Sequence, residues 1–448
     1  MNNQGPIRDA RTLGVPKMLI LGLQHMFAMF GATVLVPILV QGYGLPLSIQ
    51  TTLFFAGIGT LFFHVCTKLK VPAFLGSSFA YLGGFSAVAE LDSGIYAGMT
   101  GEEKLPYALG GIVVAGLLYL ILAGLIKLVG VHKVMRFLPP VVTGPIIILI
   151  GLSLAPSAIN NASTNWWLAI LSIAVIVCAN IWGKGMVKII PILLGVLIPY
   201  AVALVTQQVD FSGVAAADFV GLQPFVLAKF DLTSILVMAP IAIAAMMEHI
   251  GDMSAISATV EENFIEDPGL HRTLIGDGIA TSLAGMFGGP ANTTYGENTG
   301  VLELSQVFDP KVVRLAAVYA VVLSFSPKFA AVINSIPTAI IGGVSFILYG
   351  MISAIGVRNV VENRVDFTNS RNLIIAAVIM VCGLGFKIWG FNNEFSGLTF
   401  HVGSTDITLT SLAIAAIAGI ALNAILPGKD YEFGSDVTKG RSGDFGRY

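Results

Sequence analysis

The sequence predicts an all-α polytopic membrane protein of fourteen transmembrane segments, arranged as two inverted seven-span repeats, with two short antiparallel strands in segments 3 and 10. Three observations lead there. Mean hydropathy is +0.83 over 448 residues, 55% of them hydrophobic and 11% charged, which leaves a soluble domain no polar surface to show water. Apolar runs of about 20 residues, each enough to cross a hydrocarbon layer of roughly 30 Å, recur from near residue 18 to near residue 427. Two further runs are apolar but broken by Gly, Pro, Ser, Thr and Asn, and they fall at matching places in the two halves.

The unbroken runs lie near 18–41, 48–67, 107–129, 138–158, 165–183, 187–206 and 233–252, then near 270–288, 311–334, 338–356, 372–391 and 408–427. No small-residue cleavage site follows the first, Met18 to Val40, so it reads as a spanning helix and not a removed signal. The interrupted stretches, 71–91 and 290–308, bring the count to fourteen and stand third and tenth. Broken hydrophobic segments at corresponding positions mark transporters built from repeats. Short matches support the duplication: LQHMFAM (Leu23 to Met29) with MEHIGDM (Met247 to Met253), GSSFAY (Gly76 to Tyr81) with NTTYGE (Asn292 to Glu297), and the pair Gly144 and Gly151 with Gly343 and Gly350. An odd number of spans per copy turns the second copy upside down. The expected division is an N-terminus at 1–17, a first repeat at 18–206, an extracytoplasmic loop at 207–232, a second repeat at 233–427 and a polar tail at 428–448.

Charge gives an independent check on the count. With the N-terminus inside, 20 of the 24 Lys and Arg residues fall in inner segments; Lys104, Lys229, Lys328 and Lys387 do not. Cytoplasmic loops carry this excess, so both termini are expected in the cytoplasm. A net charge of −2 provides no basic surface for nucleic acid. Cys66, Cys178 and Cys382 are odd in number and far apart, which argues against disulfides and thiolate metal sites.

The broken segments concentrate the polar groups. Non-helical backbone survives in a bilayer only where protein or a water-filled cavity surrounds it, so both are expected at the centre, as strands Leu75 to Tyr81 and Asn292 to Gly296 leading into half-helices whose N-termini present free N–H donors. In span 8, Glu248 and Asp252 lie four apart on one helical face with His249 beside them. Carboxylates within a bilayer mark a pathway or a site, and Glu248 and Glu297 come from equivalent halves. Two carboxylates accept hydrogen bonds, backbone amides donate them, and Phe79, Tyr81 and Tyr295 offer flat faces. A planar heterocycle with ring N–H donors and carbonyl acceptors satisfies all three, a pattern uracil has.

The motifs LQHMFAMFGATVLVP, VPAFLGSSFAY, EHIGDMSAIS, DPGLHRTLIGDG, PANTTYGENTGV and GGVSFILYG, spread from about residue 13 to residue 427, together resemble the nucleobase-ascorbate transporter family, most closely its bacterial uracil permease branch. The resemblance implies a core domain (spans 1–4 and 8–11), a gate domain (spans 5–7 and 12–14), a bacterial cytoplasmic membrane, proton-coupled uptake of uracil by alternating access, and homodimers through the gate. It also implies that Glu248 and Glu297 bind the base, that the amides of Phe79 and Gly296 meet its carbonyls, that Phe79 and Tyr295 line it, and that Tyr349 approaches from the gate. Relatives can carry His one turn after the span-8 Glu, where this chain has Asp252.

Three titratable groups within five residues make Glu248 the candidate for the coupling proton, relayed by Asp252 or His249, with Glu297 orienting the substrate. Gln24, His25 and Asn298 read as supporting residues, the first two tying span 1 to the broken segments. Tyr81 and Tyr349 fit packing as well as ligand contact, and Asp277 fits either a third buried acid or a partner of an inner loop. Another nucleobase, such as xanthine, is the alternative cargo. The sequence carries no Walker, zinc or Ser-His-Asp arrangement, which argues against an enzyme. The polar groups cluster at one depth instead of lining a continuous channel. A bound metal would leave the aromatic and glycine residues without a task, so neither metal nor cofactor is expected.

Overall fold

Backbone in lipid has to satisfy its own hydrogen bonds, and this chain does so chiefly with helices. The computed structural model describes residues 6–428 apart from 93, 131–132, 135, 394–396 and 403–404, and for 186, 189, 297, 390–393, 397–402 and 405–408 it describes the backbone. The helices used below are α1 (Val15–Gly42), α2 (Ile49–Cys66), α3 (Leu82–Ala89), α4 (Gly101–Val129), α5 (Pro140–Ser163), α6 (Trp166–Ile181), α7 (Pro191–Val205), α8 (Leu232–Val260), α9 (Leu270–Met286), α10 (Gly296–Ser305), α11 (Pro310–Ser324, followed after an 89° bend by Pro327–Asn334), α12 (Thr338–Glu362), α13 (Ser370–Asn393) and α14 (Ser411–Ile425).

Among the described residues, seven helices are long and apolar enough to cross a membrane unaided, or eight if the bent pair at α11 is one span. Several elements are shorter than the predicted runs. Residues 165–183 and 187–206 give helices of 16 and 15 residues, because Pro191 starts α7 afresh after a separate turn at Met186–Ile189.

Strands β1 (Leu75–Ser77) and β2 (Asn292–Thr294) pair antiparallel, with Leu75 opposite Thr294 and Ser77 opposite Asn292. Both are shorter than expected. Ser78 still donates to the Ala291 carbonyl at 2.8 Å, but Phe79–Tyr81 has already turned into a 3-10 helix that feeds α3. A second sheet, β3 (Gly397–Val402) paired with β4 (Thr405–Thr410), corrects the expectation of two strands in an otherwise all-α chain. It takes the first residues of the predicted run 408–427, so α14 starts at Ser411.

Two helix pairs come together at facing glycines. In α4 and α9, a Cβ on Gly116 would lie 2.5 Å from the Gly278 carbonyl, and one on Gly278 would lie 2.7 Å from the Gly116 carbonyl. In α5 and α12, a Cβ on Gly356 would lie 2.8 Å from the Gly144 carbonyl. Within a bilayer, where apolar burial drives little association, such close approach is a main source of helix packing.

Candidate functional site

The paired strands anchor the candidate site, and a threonine meets one outward-facing residue on each of their outer edges. Thr60 of α2 accepts from the Leu75 amide at 2.9 Å and donates to its carbonyl at 3.1 Å. Thr281 of α9 does the same for Asn292, at 3.2 and 3.1 Å. A two-stranded ribbon in lipid exposes two edges of unpaired N–H and C=O groups, each costing several kcal/mol if left bare. On each edge one hydroxyl meets the amide and the carbonyl of one outward-facing residue, Leu75 or Asn292; the Thr60 hydroxyl also lies 2.7 Å from the Ala56 carbonyl of its own helix. Neither threonine was singled out from the sequence, since Thr within an apolar helix reads as ordinary.

Tyr295, the residue between β2 and α10, lies across β1. Its hydroxyl donates to the Ser77 carbonyl at 2.9 Å and lies 3.2 Å from Ser77 Oγ and 3.3 Å from Thr33 Oγ1 of α1. Its ring occupies the space a Cβ at Gly76 would need, 2.4 Å away, so position 76 has to be glycine. Tyr295 thus holds the strand crossing together. Its hydroxyl is engaged on the strand side.

Span α8 presents different groups on its two sides. Glu248 and Asp252 share a half-buried face. Asp252 accepts a hydrogen bond from Thr294 Oγ1 at 2.8 Å, and its Oδ1 lies 3.8 Å from where a Cβ at Gly296 would stand. The carboxylate therefore sits beside the N-terminus of α10, where the helix dipole favours negative charge. His249, one residue from Glu248, points the other way: its Nδ1 is 3.1 Å from Asp277 Oδ2 of α9, and both side chains are 0% exposed. Tyr81, fully buried, lies within electrostatic reach of both Asp277 and Glu248, as does Tyr119 of α4.

The remaining candidates fall around this centre. Phe79 opens the turn after β1 and meets Tyr349 of α12 edge to face, with ring centroids 6.1 Å apart. The amide of Gly296 begins α10. Asn298, on the next turn, contacts His25 of α1 through its Nδ2, 3.2 Å from the ring Nδ1 and 3.2 Å from the carbonyl. Gln24 is half-buried beside it. The backbone of Glu297 lies in the first turn of α10; its side chain lies outside the described residues. The structure thus brings Phe79, Tyr349, Glu248, Asp252 and Gly296 around the crossing. It places His249 with Asp277, and His25 with Asn298, in packing contacts behind it. The start of α10, the half-buried acidic face of α8 and the Phe79–Tyr349 edge thus bring hydrogen-bond donors, acceptors and aromatic surface to one place.

The fold is similar to that of the transmembrane domain of BicA, a cyanobacterial bicarbonate transporter (TM-score 0.54, 16% identity, covering 80% of this chain and 97% of that one). In sequence the chain is 40% identical to the uracil permease of Bacillus caldolyticus over 438 residues, 94% of each protein. It is 39% identical to the uracil permease of Bacillus subtilis (strain 168) over 424 residues, 90% of this chain and 91% of that protein. The profile described as "Permease family" matches residues 16–389. With that span covered and the motifs at the strand crossing in place, the chain belongs to the permease family of nucleobase-ascorbate transporters.

Proposed function

We propose that this protein is a secondary active transporter that takes up uracil with protons by alternating access, using no cofactor besides the proton gradient. The observation that carries the reading is the half-buried acidic face of α8 beside the start of α10, at a strand crossing inside the membrane-spanning bundle. Relatives named uracil permeases over nearly the full length supply the cargo. Glu248 and Glu297 accept the ring N–H groups, the amides of Phe79 and Gly296 donate to the ring carbonyls, and Phe79, Tyr295 and Tyr349 enclose it, with Tyr81 behind. Glu248 takes the coupling proton, since a group whose protonation changes affinity is what links the two gradients. Asp252, one turn away on the same face, is the relay of the two candidates; His249 faces Asp277 on the opposite side and holds α8 to α9.

The architecture that goes with this function is fourteen spans in two inverted repeats, with a core domain of α1–α4 and α8–α11 carrying the site past a gate domain of α5–α7 and α12–α14. The matched roles of Thr60 and Thr281, in the second segment of each half, support the duplication. So does the close approach of α4 to α9 at Gly116 and Gly278, repeated by their counterparts α11 and α2, where a Cβ on Gly57 would lie 2.5 Å from the Ala317 carbonyl. Both termini lie in the cytoplasm of a bacterium, and the gate forms the homodimer surface.

Purified protein in proteoliposomes with an imposed pH gradient tests the reading. Labelled uracil should accumulate, and thymine, adenine and xanthine should compete weakly. Stronger competition by xanthine than by unlabelled uracil would move the cargo to purines, and no response to the gradient would remove proton coupling.

A further inference from the structure

Away from the strand crossing, a cavity of about 320 Å³ opens where the linker before α5, the α12–α13 connection and the end of α14 meet. Three arginines line it from three separate segments: Arg136, Arg364 and Arg371. Arg371 is fixed. Its Nη2 donates to the Asn423 carbonyl and side-chain oxygen at 2.8 and 2.9 Å, which also covers the C-terminal carbonyls of α14. Asn423 in turn donates to the Arg136 carbonyl at 3.1 Å, fixing the linker against α14. The guanidinium groups of Arg136 and Arg364 form no hydrogen bond or ion pair among the described residues.

The charge does not cancel. The one acid on the wall, Asp366, is occupied by the amide and hydroxyl of Thr368 at 2.8 and 2.7 Å. Among the described residues of the lining, three arginines against one aspartate leave two positive charges in excess. Two 24-residue helices, α5 and α13, also begin at its edge and point their positive ends toward it. A carboxylate has two oxygens and fills one guanidinium fork; forks arriving from separate segments suit the three or four oxygens of a phosphate. Phe137 and Val141 form an apolar wall beside them. Basic pockets between spanning helices, at the end where basic loops gather, hold phosphate head groups.

We propose that this cavity is a binding site for a phosphate ester, gripped by Arg136 and Arg364 over a floor set by Arg371. Such a ligand bridges the linker before α5 to the α12–α13 connection and so braces one end of the proposed gate. The phosphate comes either from an anionic lipid or from a soluble ester, and the experiment separates the two.

The full-length protein is placed in nanodiscs of phosphatidylcholine with a minor fraction of phosphatidylglycerol, and retained lipid is counted by native mass spectrometry. Wild type should hold phosphatidylglycerol about tenfold or more above the double variant Arg136→Gln/Arg364→Gln. Arg136→Lys/Arg364→Lys, which keeps charge but loses the forks, should fall between them. In phosphatidylcholine alone, inorganic phosphate is titrated against the melting temperature. A saturable rise lost in the Gln variant, without lipid retention, assigns the site to a soluble phosphate. Equal lipid retention in wild type and Gln variant, with no phosphate response in either, overturns the proposal. Should the double variant fail to fold, Arg364→Gln alone is read by the same two measurements.

Discussion

Within a few residues α8 carries two acidic arrangements that differ in access. Glu248 and Asp252 lie on a half-buried face, with Asp252 accepting from Thr294 of β2 at 2.8 Å. On the other side His249 and Asp277 are sealed at 0% exposure, 3.1 Å apart. A group that exchanges a proton and meets a ligand has to be reachable from water in some state of the cycle. A sealed pair does not exchange freely; it holds two helices in register and sets the field its neighbours feel. The proposed proton exchange and ligand contact therefore sit on the accessible face, and the first prediction tests that side. Glu248→Gln should lower proton-driven uracil accumulation at least about a hundredfold, because the ring loses a charged acceptor in a partly dry site. Uptake by the variant as a function of pH is the measurement, and unchanged accumulation would take Glu248 out of the coupling role.

The sealed side should respond in stability. Asp277→Ala leaves His249 buried without its partner and should cost about 3 kcal/mol, read as melting temperature in nanodiscs. Asp277→Asn, which keeps a hydrogen-bonding group, should cost less and leave uracil binding near wild type. If Asp277→Asn instead folds normally, binds uracil and no longer accumulates it against a proton gradient, the sealed pair lies on the proton path and the contrast between the two faces is broken.

The strand crossing was legible because Ser, Thr, Asn and Gly had no other reason to stand together in an apolar chain. Its length was not. Phe79 favours strands as a residue type, yet the chain has to turn there to start α3, and a period of two cannot reveal where a three-residue ladder ends. The β3–β4 hairpin had a signal that hydropathy averaging hid: Leu398 opposite Leu409 and Phe400 opposite Ile407 alternate with polar residues. His249 with Asp277 joins residues from different helices, and nothing in either local sequence encodes that meeting. The acidic face of α8 was readable from i, i+4 spacing alone. Which neighbour points away from it was set by helix packing.

The strand edges extend the comparison from acids to hydroxyls. Thr60→Val and Thr281→Val each leave one buried N–H and one C=O of the ribbon without a partner, and each should cost about 2 kcal/mol. Similar losses are expected, because the two hydroxyls do the same task on opposite edges. A large loss at one and none at the other would show that the two edges are not equivalent, and would weaken the duplication. On the accessible face, Asp252→Asn keeps an acceptor for Thr294 and should change the uracil KM only about fivefold, with a larger change in its pH dependence than in its value at neutral pH.

The smallest effect belongs to an ion pair at the surface, which sharpens the contrast with the sealed one. Lys70, in the connection between α2 and β1, hydrogen-bonds Asp267 just before α9, and the two side chains are 44% and 63% exposed. The Lys70 ammonium holds the Asp267 carboxyl below its ordinary range. A carboxyl lowered on folding stabilises the folded protein above its unfolded value of about 3.9, and that contribution disappears as pH falls through the lowered folded value. Water and salt screen an exposed pair. Lys70→Ala should therefore shift the melting temperature barely measurably at neutral pH, less still in high salt, and not at all in acid. A loss as large as that of Asp277→Ala would mean that Lys70 and Asp267 fasten the loop before β1 to the loop before α9 as firmly as the buried pair fastens α8 to α9, and burial would no longer explain why the two pairs differ.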